Sequence, residues 1–125
     1  MVKRVLVVED DPLLSELLEM LLTVEGMEVD HAPHGGEALI MLVTTQYDLI
    51  ILDLMMPVMD GLQFLAELPM YGHRQPPVLV FSANTGTELA QQARRAGAAA
   101  VARKPIDHEE FICLVRSLLR DPADA

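Results

Sequence analysis

The stretch Val5-Leu6-Val7-Val8-Glu9-Asp10-Asp11 changes character abruptly. Apolar residues follow one another without polar alternation, which marks a strand buried on both faces. The run then stops in acid. The same event recurs at Asp48-Leu49-Ile50-Ile51-Leu52-Asp53, where a second apolar run ends in a carboxylate. Antiparallel sheets commonly leave one face wet, so two such runs point to a parallel sheet with helices on both faces.

Working outward, helical patterns fill the intervals. Leu14, Leu17, Leu18, Leu21 and Leu22 recur at helical spacing after Asp11-Pro12, with Ser15, Glu16 and Glu19 between them. Asp11 suits the N-cap, because its carboxylate can accept from free N–H groups, and Pro12 suits the first helical position. Gly26 ends that helix. Met27 to Ala32 alternates like a strand with one wetter face, as at a sheet edge. Past Gly35-Gly36, Ala38, Leu39, Leu42 and Val43 predict a second helix. Leu62, Phe64, Leu65 and Leu68 predict a short third one before a loop from Gly72 to Pro77. Val78 to Ser82 is a further buried strand. Thr87 to Ala96 reads as a weakly amphipathic helix with Arg94 and Arg95 on its solvated face, and Ala98 to Arg103 as a last strand. Asp107 caps a final helix whose stripe is Phe111, Ile112, Leu114, Val115, Leu118 and Leu119. Five strand–helix units with right-handed crossovers predict a doubly wound α/β domain.

Composition agrees with one domain. The chain has 125 residues, of which 51% are hydrophobic, enough for a core and too many for a disordered tail. Nineteen acidic residues against nine Lys and Arg give a net charge of -10, which disfavours nucleic acid and anionic membrane surfaces. A single cysteine, Cys113, excludes an internal disulfide and reads as a small core residue. His31, His34, His73 and His108 are scattered without ligand spacing and read as surface residues. No signal-peptide pattern or membrane-length apolar run is present, so a soluble cytoplasmic domain is expected.

In such sheets ligands sit beyond the carboxyl ends of the strands, near the switch in strand order. Glu9, Asp10, Asp53, Ser82 and Arg103-Lys104 collect there. Carboxylates meeting at one edge repel one another unless a cation lies between them. All-oxygen donors favour a hard ion such as Mg2+ over zinc or copper. Ser82 can donate a hydrogen bond and Lys104 is a compact cation, both suited to a phosphoryl group. A carboxylate can itself be the nucleophile in phosphoryl transfer.

Four segments in order, Val7-Val8-Glu9-Asp10-Asp11, Asp53-Leu54-Met55-Met56-Pro57 with Met59-Asp60-Gly61, Phe81-Ser82-Ala83, and Lys104-Pro105, resemble the receiver domain of bacterial two-component response regulators. The resemblance implies the flavodoxin-like (βα)5 fold of the chemotaxis response regulator, with strand order 2-1-3-4-5. It implies a receiver over residues 1–120, followed by a tail or linker start at 121–125. Asp53 would be the phospho-acceptor. Asp10, Asp53 and the Met55 carbonyl would ligate Mg2+ directly, with Glu9 acting through a bound water. Ser82 would be the switch hydroxyl and Lys104 the site lysine. The implied donor is a sensor histidine kinase or histidine phosphotransfer protein, and the output is another domain or protein. Such a domain catalyses only its own phosphorylation and dephosphorylation and is not otherwise an enzyme.

Several positions depart from the family pattern. Val101 stands where an aromatic is usual. Ala99 and Ala100 replace an acidic pair, which weakens the case for a homodimer through helix 4, strand 5 and helix 5. Met55 cannot orient an attacking water, whereas Asn84 can, which predicts slow to intermediate autodephosphorylation and faster decay in Met55→Asn. Val101 also keeps open a phosphorylation-independent pseudo-receiver. An aspartyl-phosphate phosphatase would want a second acid at position 55, and a nucleotide or flavin binder would want a glycine-rich loop after strand one. Neither feature is present. Asp60-Gly61 reads as turn chemistry.

Overall fold

A computed structural model describes residues 2–54, 61–70, 76–82, 87–103 and 107–119, with the backbone alone at 70, 82 and 87. The strands are β1 (Arg4–Val8), β2 (Glu28–Ala32), β3 (Leu49–Leu52), β4 (Val78–Ser82) and β5 (Ala100–Arg103). The helices are α1 (Pro12–Val24), α2 (Gly35–Thr44), α3 (Gly61–Glu67), α4 (Thr87–Arg95) and α5 (His108–Leu119), and a 3-10 turn over Leu68–Met70 extends α3. The strands form one parallel sheet in the order β2-β1-β3-β4-β5. The expected doubly wound architecture and its order 2-1-3-4-5 are both present. Because the order reverses at β1, the carboxyl ends of β1 and β3 lie side by side.

Alternation along each strand divides the core between two faces. Leu6, Val8, Ile50, Leu52, Val78 and Val80 pack with Ala38, Leu39 and Leu42 of α2, Phe64 and Leu65 of α3, and Ala93 of α4. Val5, Val7, Leu49, Ile51, Leu79 and Phe81 pack on the other face with Leu18 and Leu22 of α1 and Phe111, Val115 and Leu119 of α5. The Phe81 and Phe111 rings meet at 5.8 Å between centroids. Each fully buried side chain of this kind contributes about 1.5–3 kcal/mol. As the sequence predicts, β2 at the edge is wetter than the central strands.

The expected faces of the helices need correction in several places. Ser15 is buried in α1 and Leu17 is partly exposed, while Leu13, Met20 and Val24 are largely exposed. Apolar residues lie almost all round this helix, so spacing alone did not select the side that packs. Val43 of α2 is exposed, because α2 docks through Ala38, Leu39 and Leu42. Cys113 is exposed rather than a core residue, since the packed side of α5 is Phe111, Val115 and Leu119. Helix α4 is sharply two-sided rather than weakly so: Leu89 and Ala93, with Ala96 just past its end, pack on the core, while Arg94 and Arg95 face solvent as expected. No helix among the described residues is long and apolar enough to cross a membrane.

Candidate functional site

The end of β1 is fixed from several directions. Asp11 caps α1, its Oδ1 accepting from Leu13 N at 3.0 Å and Leu14 N at 3.5 Å. The chain therefore turns at Glu9-Asp10 directly from strand into helix. Glu9 N donates to Ala32 O of β2 at 3.1 Å, and Asp53 N donates to Val8 O at 3.0 Å. These two bonds continue the β1–β2 and β1–β3 ladders one residue past the strands and hold Glu9 and Asp53 in register.

The consequence is a convergence of acids. Glu9, Asp10 and Asp53 each offer a carboxylate oxygen, and these atoms all lie within 4.8 Å of one another. Glu9 is 3% exposed and Asp53 5% exposed, whereas Asp10 opens to solvent. Two buried carboxylates and one exposed carboxylate at such range repel strongly in a poorly solvated setting. A hard divalent cation offsets that repulsion, and an all-oxygen donor set suits Mg2+ or Ca2+ better than a thiophilic metal. The residues present therefore fit the ion expected from sequence. Glu9 Oε1 also accepts from Asp11 N at 3.3 Å, which orients its carboxylate at the turn.

Of the other expected site residues, Ser82 ends β4 and pairs in register with Arg103 of β5. Its backbone thus reaches the same sheet edge, while its side chain lies outside what the structure describes. Met55, Asn84 and the Lys104-Pro105 pair also lie outside the described residues, as do Asp60 and His73. Val101 is half-buried on β5 and packs against the α2–α3–α4 side of the core.

Two contributors to the site, Gly61 and His31, were not legible in the sequence, nor was a structural role of His34 away from it. Gly61 opens α3 with its N–H donated to Leu54 O at 3.0 Å. A Cβ on Gly61 would stand 2.6 Å from Leu54 Cα and 2.9 Å from Asp53 O. The position thus needs glycine for close approach to the backbone that carries Asp53, which is more than turn chemistry. His31 Nε2 lies 2.8 Å from Glu9 O. His34 caps α2, its Nδ1 accepting from Glu37 N at 3.2 Å. The two histidine contacts depend on partners that no local pattern announces. The doublet Asp60-Gly61 was the one available signal for the close approach.

Comparison with known proteins agrees with this geometry. The sequence model for the response regulator receiver domain matches residues 5–116. The chain is 36% identical over 118 residues to the transcriptional regulatory protein PcoR of Escherichia coli, covering 94% of this chain and 52% of that one. It is 37% identical over 124 residues to response regulator MprA of Mycobacterium tuberculosis, covering 98% and 54% respectively. The chain thus spans about half the length of these curated relatives. Among solved structures it is similar to Vibrio cholerae chemotaxis protein CheY4, with a TM-score of 0.86, 28% identity, and 94% and 99% of the two chains covered.

Proposed function

Because the chain belongs to the response regulator receiver domain family, we propose that Asp53 accepts a phosphoryl group from a phosphohistidine, with Mg2+ bound at Glu9, Asp10 and Asp53. The observation that carries this reading is the convergence of the three carboxylates at the ends of β1 and β3. In the step, an Asp53 carboxylate oxygen forms a bond to phosphorus as the P–N bond of the donor imidazole breaks. The imidazole leaves with the electron pair and takes a proton from solvent. Bound Mg2+ would supply neutralisation of the charge spread over the transferring oxygens. Asp10 and Asp53 are the proposed direct ligands, joined by the Met55 carbonyl, with Glu9 acting through water. Lys104 is assigned to the phosphoryl oxygens, and Ser82 to the hydroxyl drawn toward them after transfer.

Phosphorylation then shifts an existing equilibrium of the face around α4 and β5. Its reader would be another domain or protein. A homodimer through α4, β5 and α5 would be weak, because Ala99 and Ala100 offer no charge for ion pairs across it. Receiver domains are signalling modules, and this one would act only on its own aspartate. We assign the receiver to residues 1–120, leading into 121–125, and a cytoplasmic site of action, where histidine kinases present their phosphohistidine.

The test is intact mass after incubation with acetyl phosphate, with and without Mg2+, on wild type and Asp53→Asn. A single phosphoryl adduct that needs both Mg2+ and Asp53 is expected. An adduct that survives in Asp53→Asn would move the acceptor elsewhere. No adduct at all would favour a phosphorylation-independent interaction module.

A further inference from the structure

Both backbone groups of Glu9 are held by the edge strand β2, but in different ways. The N–H continues the ladder to Ala32 O. The C=O lies beyond the last residue of β1, and there the donor is the His31 side chain, with Nε2 2.8 Å from the oxygen. A carbonyl oxygen only accepts, so His31 carries its hydrogen on Nε2. In the parallel register His31 stands beside Val7, two residues before Glu9, and strand side chains lean along the strand. The imidazole therefore reaches from an exposed edge strand to the peptide that joins Glu9 to Asp10.

That peptide carries two of the three converging carboxylates. Its plane sets the direction in which Asp10, the exposed member of the cluster, leaves the backbone. We propose that His31 is a positioning residue of the cation site: by donating to Glu9 O it fixes the Glu9–Asp10 peptide, so that the carboxylates of Glu9 and Asp10 are held convergent on Asp53 before the cation arrives. The proposal rests on the reading of this cluster as an Mg2+ site. It assigns His31 no contact with the ion and no proton transfer.

Titration calorimetry with Mg2+ alone, on the full chain at neutral pH and well below the melting temperature, tests this without any phosphoryl transfer. Loss of one such bond predicts about three- to tenfold weaker binding in His31→Ala. His31→Gln keeps an N–H at similar reach and should recover most of the wild-type affinity. His34→Ala is the control, because it removes the cap of α2, three residues further along the chain, and should lower the melting temperature without touching Glu9. Its Mg2+ affinity should equal that of wild type. Equal affinity in His31→Ala and wild type would overturn the proposal. So would a His31→Gln protein as weak as His31→Ala, or a similar loss in His34→Ala. Wild type without measurable Mg2+ binding would instead remove the cation site itself, and the role of His31 with it.

Discussion

Acid gathers in two places on this sheet, and the two are built differently. At the carboxyl ends, Glu9, Asp10 and Asp53 aim oxygens at one point. Nearer the amino ends, Glu28, Asp30 and Asp48 are spread along one arginine. The Arg4 guanidinium meets Glu28 Oε2 at 2.7 Å and Asp30 Oδ2 at 3.5 Å, and Arg4 N donates to Asp48 Oδ2 at 2.9 Å. Tyr47 Oη donates to the same Asp30 oxygen at 2.7 Å. Each of these carboxylates has a donor within the protein. The lesson is that acid content alone does not mark chemistry. Convergence on a shared point does, whereas separate pairing marks a brace between β1, β2 and the start of β3.

The comparison breaks most readily at Gly61. Gly61→Ala forces a methyl group into the backbone around Asp53 and Leu54, which should destabilise the fold by about 3 kcal/mol. It should also slow acetyl phosphate labelling more than tenfold. Urea unfolding and intact mass read the two effects, and an unchanged labelling rate would free Asp53 from its dependence on this contact. Next in size is the response to metal. Mg2+ at a hundredfold excess over its Kd should stabilise wild type by about 2.7 kcal/mol, an increment lost in EDTA. Glu28→Gln should keep that increment and Asp10→Asn should lose most of it. The reverse pattern in thermal melts would interchange the two acidic regions.

A smaller effect belongs to Tyr47, whose hydroxyl is pushed up to about 12 by burial and by its bond to Asp30. A raised value means that the folded state holds this proton more tightly than the unfolded chain does. The stabilisation is therefore complete below pH 10 and lost as pH rises from 10 to about 12. Tyr47→Phe should remove that alkaline slope and cost about 1 kcal/mol at neutral pH. Denaturant midpoints across pH 8 to 12 would show it, and parallel curves for the two proteins would discard the brace. The least effect is expected at Arg4. Its ion pairs are exposed, so Arg4→Met should cost under about 1 kcal/mol, with most of that loss also seen in high salt.

The central strands were legible because a strand covered on both faces must be apolar at every position, as in Val5 to Val8 and Leu49 to Leu52. The acids after them were legible for the same reason, since a buried run that stops in carboxylate marks where the sheet meets solvent. The sequence alone therefore places Glu9, Asp10 and Asp53 together. Helix α1 was less legible. Leucines on several sides satisfy helical spacing in more than one way, and the buried Ser15 and exposed Leu17 reversed the expected assignment. Gly61, His31 and His34 stayed hidden because each acts on a group defined by folding. An approach of 2.6 Å to Leu54 Cα or a bond to Glu9 O has no period in the sequence.

The central strands carry a consequence for how the molecule breathes. Val5 to Val8 and Leu49 to Leu52 are almost wholly withdrawn from solvent and bonded to neighbours on both sides. Their amide hydrogens should exchange with deuterium only through global opening, while those of β2 and β5 exchange through local fraying. The acids at Glu9 and Asp53 are thus mounted on the slowest-opening part of the chain. The outer edge at β5 can detach and return many times while the spacing between these two strand ends persists, whereas detachment of β2 releases Glu9 from Ala32 and His31, so the site tolerates fraying at one margin of the sheet and not at the other.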